Sequence, residues 1–115
     1  MRAKVLTLAV AGLLMLATGI AQATDRKTIE IVIKDHLFKP DRIELTAGVP
    51  HILIVKNQDA TPEEFESHDL RLEKVVRGNG KIKIALPPLK PGTYKFVGEF
   101  HEDTAKGSIV VKAPQ

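Results

Sequence analysis

After its first two dozen residues, this 115-residue chain has no segment with apolar residues at helical spacing; they recur at every second position, in short runs between Gly, Pro and polar clusters. A strand sends successive side chains to opposite faces, so alternation of this kind demands half-buried strands. Thr28–Ile33 alternates, Arg42–Thr46 puts Ile43 and Leu45 on one face, and Lys81–Leu86 does the same with Ile82, Ile84 and Leu86. His51–Lys56 is nearly continuous apolar sequence, which predicts a strand buried on both sides or close to the core centre. His68–Val76 and Thr93–Val97 read as further strands, Tyr94 and Phe96 sharing a core-facing side, and Ile109–Val111 reads as a buried closing strand. Asp35–Pro40 reads as a loop, and residues 58–67 as the longest loop. The fold class expected is all-β, a Greek-key antiparallel β-sandwich of about seven to eight strands.

The N-terminus predicts export. Arg2 and Lys4 precede an apolar run, Val5–Ile20, and Ala21-Gln22-Ala23 fits the small-x-small cleavage rule. The expected organisation is a signal peptide over 1–23, cleaved after Ala23, and one domain over 24–115, with the product in the periplasm. No Cys follows the apolar run, so no lipid anchor is expected; the run is short and leads directly into the cleavage site, so no stable membrane insertion of the mature chain is expected either. Cleavage also removes Met1 and Met15, leaving neither Cys nor Met, and leaves 15 basic against 14 acidic residues. The basic character of the whole chain is thus partly the leader's and gives no support for nucleic-acid binding.

Chemistry concentrates in polar stretches between the strands. Glu99, His101, Glu102 and Asp103 crowd a short loop between two strands, and Glu63, Glu64 and Glu66 stand in the longest loop. Carboxylate and imidazole groups held by rigid strands make a reasonable metal-binding loop. The candidate ligands are Glu66, Glu99 and His101, completed by Glu64, His36, His68 or Asp103. Glu63 reads as part of a solvated turn, His51 as a solvent-exposed histidine, Glu102 as a partner of Lys106, and Asp103 equally as a turn cap. Ser67-His68 makes no nucleophile and base pair, since neighbours on a strand face opposite ways.

The segment Pro91-Gly92-Thr93-Tyr94-Lys95-Phe96, with His101 five residues on, resembles the last two strands of cupredoxins, whose Cys, His and Met bind copper beside an earlier His. Gly98 stands at the Cys position and Thr104 near the Met position. The resemblance extends through Phe38-x-Pro40-x-x-Ile43, Gly48, Asn57 and His68, and implies that three loops meet at one rim, gathering His36, Glu63, Glu64, Glu66, His68, Glu99, His101, Glu102 and Asp103, with His51 at the opposite rim. Glu64-Phe65-Glu66-Ser67, Glu73-Lys74-Val75, Pro88–Tyr94 and Gly98–Ala105 are similar to the cysteine-less EfeO- and FtrB-type cupredoxin-like domains of bacterial periplasmic iron uptake. That resemblance implies binding of copper or iron, and a membrane iron permease or periplasmic iron-binding protein as partner. Without a thiolate a blue copper centre is excluded; imidazole and carboxylate suit type-2-like Cu(II), iron or Zn(II). The sequence shows no second redox group, so the expectation leans away from catalysis, ferroxidase accessory chemistry being its one candidate form. A copper carrier without an iron role and a metal-free module docking to a permease are the alternatives, the absence of methionine from the mature chain counting against Cu(I) handling.

Overall fold

The computed structural model describes residues 26–115; the expected leader, its cleavage site and the boundary at residue 24 lie outside the described residues. Nine strands are formed: β1 (Lys27–Lys34), β2 (Leu37–Lys39), β3 (Arg42–Thr46), β4 (His51–Asn57), β5 (Glu63–Ser67), β6 (Leu72–Val76), β7 (Lys81–Leu86), β8 (Gly92–Gly98) and β9 (Lys106–Lys112). They make one four-stranded sheet, ordered β2-β1-β4-β7, and one five-stranded sheet, ordered β3-β9-β8-β5-β6. This is the β-sandwich the alternation predicts, with two differences. There are nine strands among the described residues, and each sheet contains one parallel pair, β1 with β4 and β3 with β9, so the sheets are mixed rather than purely antiparallel.

Both additional strands arise in stretches that read as loops. Asp35 and His36 take positive φ of 53° and 57°. Two such residues make a turn whose twist suits a hairpin. Non-glycine residues resist that conformation. Here the Asp59 carboxylate holds it, accepting the backbone N–H of Asp35 at 2.8 Å and of His36 at 3.0 Å. The chain therefore doubles back, and Leu37–Lys39 pairs with the end of β1. The second correction is β5. Glu63, Phe65 and Ser67 all point inward and are buried, while Glu64 and Glu66 point outward and are half-buried. The period of two was present in the sequence, but an acid at an inward position disguised it.

β6 begins only at Leu72, because residues 68–71 form a turn in which Arg71 takes a φ of 55°. In β4, Leu53 and Val55 are buried and Ile52 and Ile54 half-buried, so the strand is covered more fully on one face than on the other. The core lies between the sheets. At the end nearest the acidic stretches it is floored by three phenylalanines: Phe38 meets Phe96 edge-on at 4.9 Å and Phe65 at 6.0 Å, and Phe65 meets Phe96 at 5.0 Å. Phe38 follows His36, Phe65 separates Glu64 from Glu66, and Phe96 precedes Gly98. The aromatic floor thus sets the position of each polar group above it.

Candidate metal centre

β5 lies between β8 and β6, with Phe65 opposite Gly98, Glu66 opposite both Val97 and Glu73, and Glu64 opposite Val75. Strand parity separates the three glutamates of β5. Glu64 and Glu66 stand on the outer face, and a 3-10 turn over Glu99–His101 brings Glu99 beside them from the end of β8. One carboxylate oxygen from each of Glu64, Glu66 and Glu99 lies within 4.8 Å of the others. His68 Nε2 stands 3.2 Å from Glu66 Oε1, its side chain 91% exposed.

Crowding of like charges shifts these carboxyls toward the protonated form. The Glu64 carboxyl is pushed up to about 7, first by a hydrogen bond shared with Glu73, then by burial, then by Glu99. The Glu66 carboxyl is also raised, first by its hydrogen bond with Glu99 and then by burial, with His68 pulling the other way. A hydrogen bond between two carboxyl groups needs a proton on one of them, since the ionised form only accepts. A cation at the same place relieves the same repulsion, and an all-oxygen donor set suits a hard ion.

Glu63 faces the other way and is 1% exposed. Its Oε1 accepts the N–H groups of Glu64 and Phe100, each at 2.9 Å, and its Oε2 lies 2.6 Å from Nδ1 of His101. The His101 ring stacks on His36 with centroids 3.5 Å apart and planes inclined by 15°. The structure therefore brings the predicted residues together as two groups. Glu64, Glu66 and Glu99 form an outer group with His68 at its edge, and His36 and His101 form an inner pair bonded to Glu63. Asp103 and Glu102 are exposed in the turn after His101, and Lys106 forms no ion pair with Glu102 among the described residues.

Two of the sequence expectations are corrected. Glu63 is a buried, fully bonded carboxylate and not part of a solvated turn, because it occupies an inward position of a strand. His51 is buried at 3% exposure and not solvent-exposed, because it opens β4 between Lys27 and Leu86. Burial holds its imidazole below the ordinary range, the Val49 backbone opposing and Lys27 adding to the effect.

Two supporting residues escaped the sequence reading. Asn57 is 2% exposed; its side-chain amide donates to the Thr61 and Val76 carbonyls, and its Oδ1 accepts the N–H of Asp59. It thereby shapes the loop that places Asp59 under His36. The only available signal was an amide residue ending an apolar strand.

A sequence profile of the cupredoxin-like domain matches residues 6–111. Over 83 residues the chain is 51% identical to an uncharacterized protein of Rickettsia prowazekii, an alignment covering 72% of this chain and 66% of the relative, so just under two thirds of that protein's length is spanned. Among solved structures, auracyanin A, a blue copper protein from Chloroflexus aurantiacus, superposes with a TM-score of 0.64 at 18% identity, covering 74% of this chain and 98% of that one. The metal-binding domain of the Cu(I)-exporting P-type ATPase CopA of Streptococcus pneumoniae superposes with a TM-score of 0.63 at 18% identity, covering 74% and 84%. At that identity these two likenesses establish the fold alone.

Proposed function

The chain belongs to the cupredoxin-like domain family, and from that premise we propose that it is a periplasmic metal-binding protein of the EfeO- and FtrB-type that assists high-affinity iron uptake. The observation that carries the reading is the convergence of the Glu64, Glu66 and Glu99 carboxylates to within 4.8 Å in a chain without cysteine. Relatives by fold include copper proteins. A thiolate centre cannot form here, so the available chemistry is oxygen donation with imidazole beside it, a set suited to Fe(III) and to Cu(II) in a tetragonal site. Copper binds such sites more tightly than other divalent ions, and strong Cu(II) binding alone does not identify the cargo. Delivery of Fe(III) to a membrane iron permease or a periplasmic iron-binding protein is the role such a site suits.

Calorimetric titration of the leader-free protein with Cu(II), Fe(III) and Zn(II) tests this reading. A stoichiometric complex is expected, weakened strongly by Glu66→Gln and by Glu99→Gln and unchanged by His51→Ala at the other end of the sandwich. Equal loss in all three variants, or in none, would count against a site on the β5–β8 face. A second reading, a module that docks to a permease without metal, is favoured by one observation: Leu37 and Phe100, beside the stacked histidines, are 41% and 49% exposed. No binding tighter than loose surface chelation would favour it.

A further inference from the structure

Glu63 is the one fully buried carboxylate among the described residues, and the outer carboxylate group does not include it. It fits only because residue 98 is glycine: a Cβ there would stand 2.6 Å from Glu63 Cδ and 2.7 Å from Ala105 Cβ. Both of its oxygens are committed, Oε1 to two backbone N–H groups and Oε2 to His101 Nδ1 at 2.6 Å. An ionised carboxylate only accepts, so the hydrogen in the last contact belongs to Nδ1. The neutral ring then carries its lone pair on Nε2. That atom takes no hydrogen bond among the described residues, and no side-chain nitrogen or oxygen there is both buried and unpartnered, so Nε2 opens to solvent.

His36 completes the arrangement without sharing the ion. Its ring lies nearly parallel to that of His101, and lone pairs lie in the ring planes, so the two run side by side instead of converging. His36 acts as a wall that stops the His101 ring from turning, and it is itself held by the hairpin that Asp59 ties down.

We propose that Glu63 is a positioning residue: it holds His101 in the Nδ1–H tautomer and turns Nε2 outward as a single nitrogen ligand for a divalent ion such as Zn(II) or Cu(II). The inference rests on the reading of this end of the molecule as metal-binding, and it adds a nitrogen position separate from the outer carboxylates. Carboxylates that support a ligating imidazole in this way typically change metal affinity by roughly 10- to 100-fold.

The test is long-range proton–nitrogen NMR, with carboxyl-carbon spectra alongside, on the nitrogen- and carbon-labelled, leader-free protein at about pH 8, above the ordinary imidazole range. Expected is a His101 ring protonated on Nδ1 and bare on Nε2. Added Zn(II) should shift Nε2 while Nδ1–H persists. Glu63→Gln, which cannot accept at every donor that Glu63 serves, should lose the tautomer preference and weaken that zinc step by roughly 10- to 100-fold. A proton on Nε2, zinc on Nδ1, or a folded Glu63→Gln protein binding within about twofold of the unaltered one overturns the proposal. Should Glu63→Gln fail to fold, the spectrum of the unaltered protein still decides tautomer and ligating nitrogen. Zinc shifts confined to the carboxyl carbons of Glu64, Glu66 and Glu99 overturn this inference and leave the carboxylate reading standing. Shifts at Nε2 alone do the reverse, and no shift anywhere overturns both.

Discussion

Glycine 98 and Glu63 answer to each other across the sheet. Everything a side chain at 98 would touch is fixed: the Glu63 carboxyl by three hydrogen bonds, the Ala105 methyl by the core. Gly98→Ala should therefore destabilise by about 1–3 kcal/mol, the usual result of forcing a methyl into a packed interior, as read from urea unfolding midpoints. Glu63→Ala should cost more, about 3 kcal/mol, since it strands the Phe100 N–H and the His101 imidazole without an acceptor. An unchanged midpoint in either variant would contradict the packing described. Phe65 is fully buried beneath the same groups, and Phe65→Ala should cost about 3–5 kcal/mol by the cavity it leaves. Of this corner the sequence showed the glycine, the histidine and the alternation around Phe65. It did not show that Glu63 points inward, because a glutamate is ordinarily read as exposed and only its bonding partners, 37 and 38 residues away, reverse that reading.

Strands β5 and β6, with the turn that follows β8, present one outward acidic face, and its pH response has a definite sign. The Glu64 carboxyl is raised in the folded chain from 4.5 to about 7, so the fold binds a proton there that the unfolded chain does not. That contribution to stability is fully present below the unfolded value of 4.5 and is lost as pH rises through about 7. Thermal unfolding of the metal-free protein should show this loss, Glu64→Gln should flatten it, and an added cation should offset it by taking the proton's place. At the far end of β4, His51 works in the opposite direction. Its folded imidazole is held below its ordinary value of 6.5, chiefly by burial, so its contribution is present above 6.5 and is lost as pH falls from there through the lower folded value. Because both effects fall in weakly acid solution, the single variants Glu64→Gln and His51→Ala are needed to separate them. A pH profile that neither variant changes would refute both assignments. The element scale is also where the sequence reading failed twice: β2 depends on a left-handed turn held by Asp59, 23 and 24 residues from its N–H donors, which no local pattern carries, and β5 is disguised by Glu63 at an inward position.

For the whole molecule, the expected leader can be tested directly: we propose that the chain is exported to the periplasm and begins there at Thr24, as N-terminal sequencing would show. An intact N-terminus at Met1 would remove the basis for export. The sandwich and the exclusion of a thiolate copper centre were both determined by the sequence, because period-two burial and the absence of cysteine are properties of composition and order alone. The candidate residues were also legible as a set, since acids and histidines cluster at recognisable positions. Their division into two groups was decided only by the tertiary structure. One residue of difference along β5 sends Glu63 into the core against His101 and Glu64 outward against Glu73 and Glu99. Which parity faces the core depends on the register of β5 with β8 and β6, and that register is set by Phe65 meeting Phe96 on the neighbouring strand and Phe38 across the interior, contacts that join distant parts of the chain.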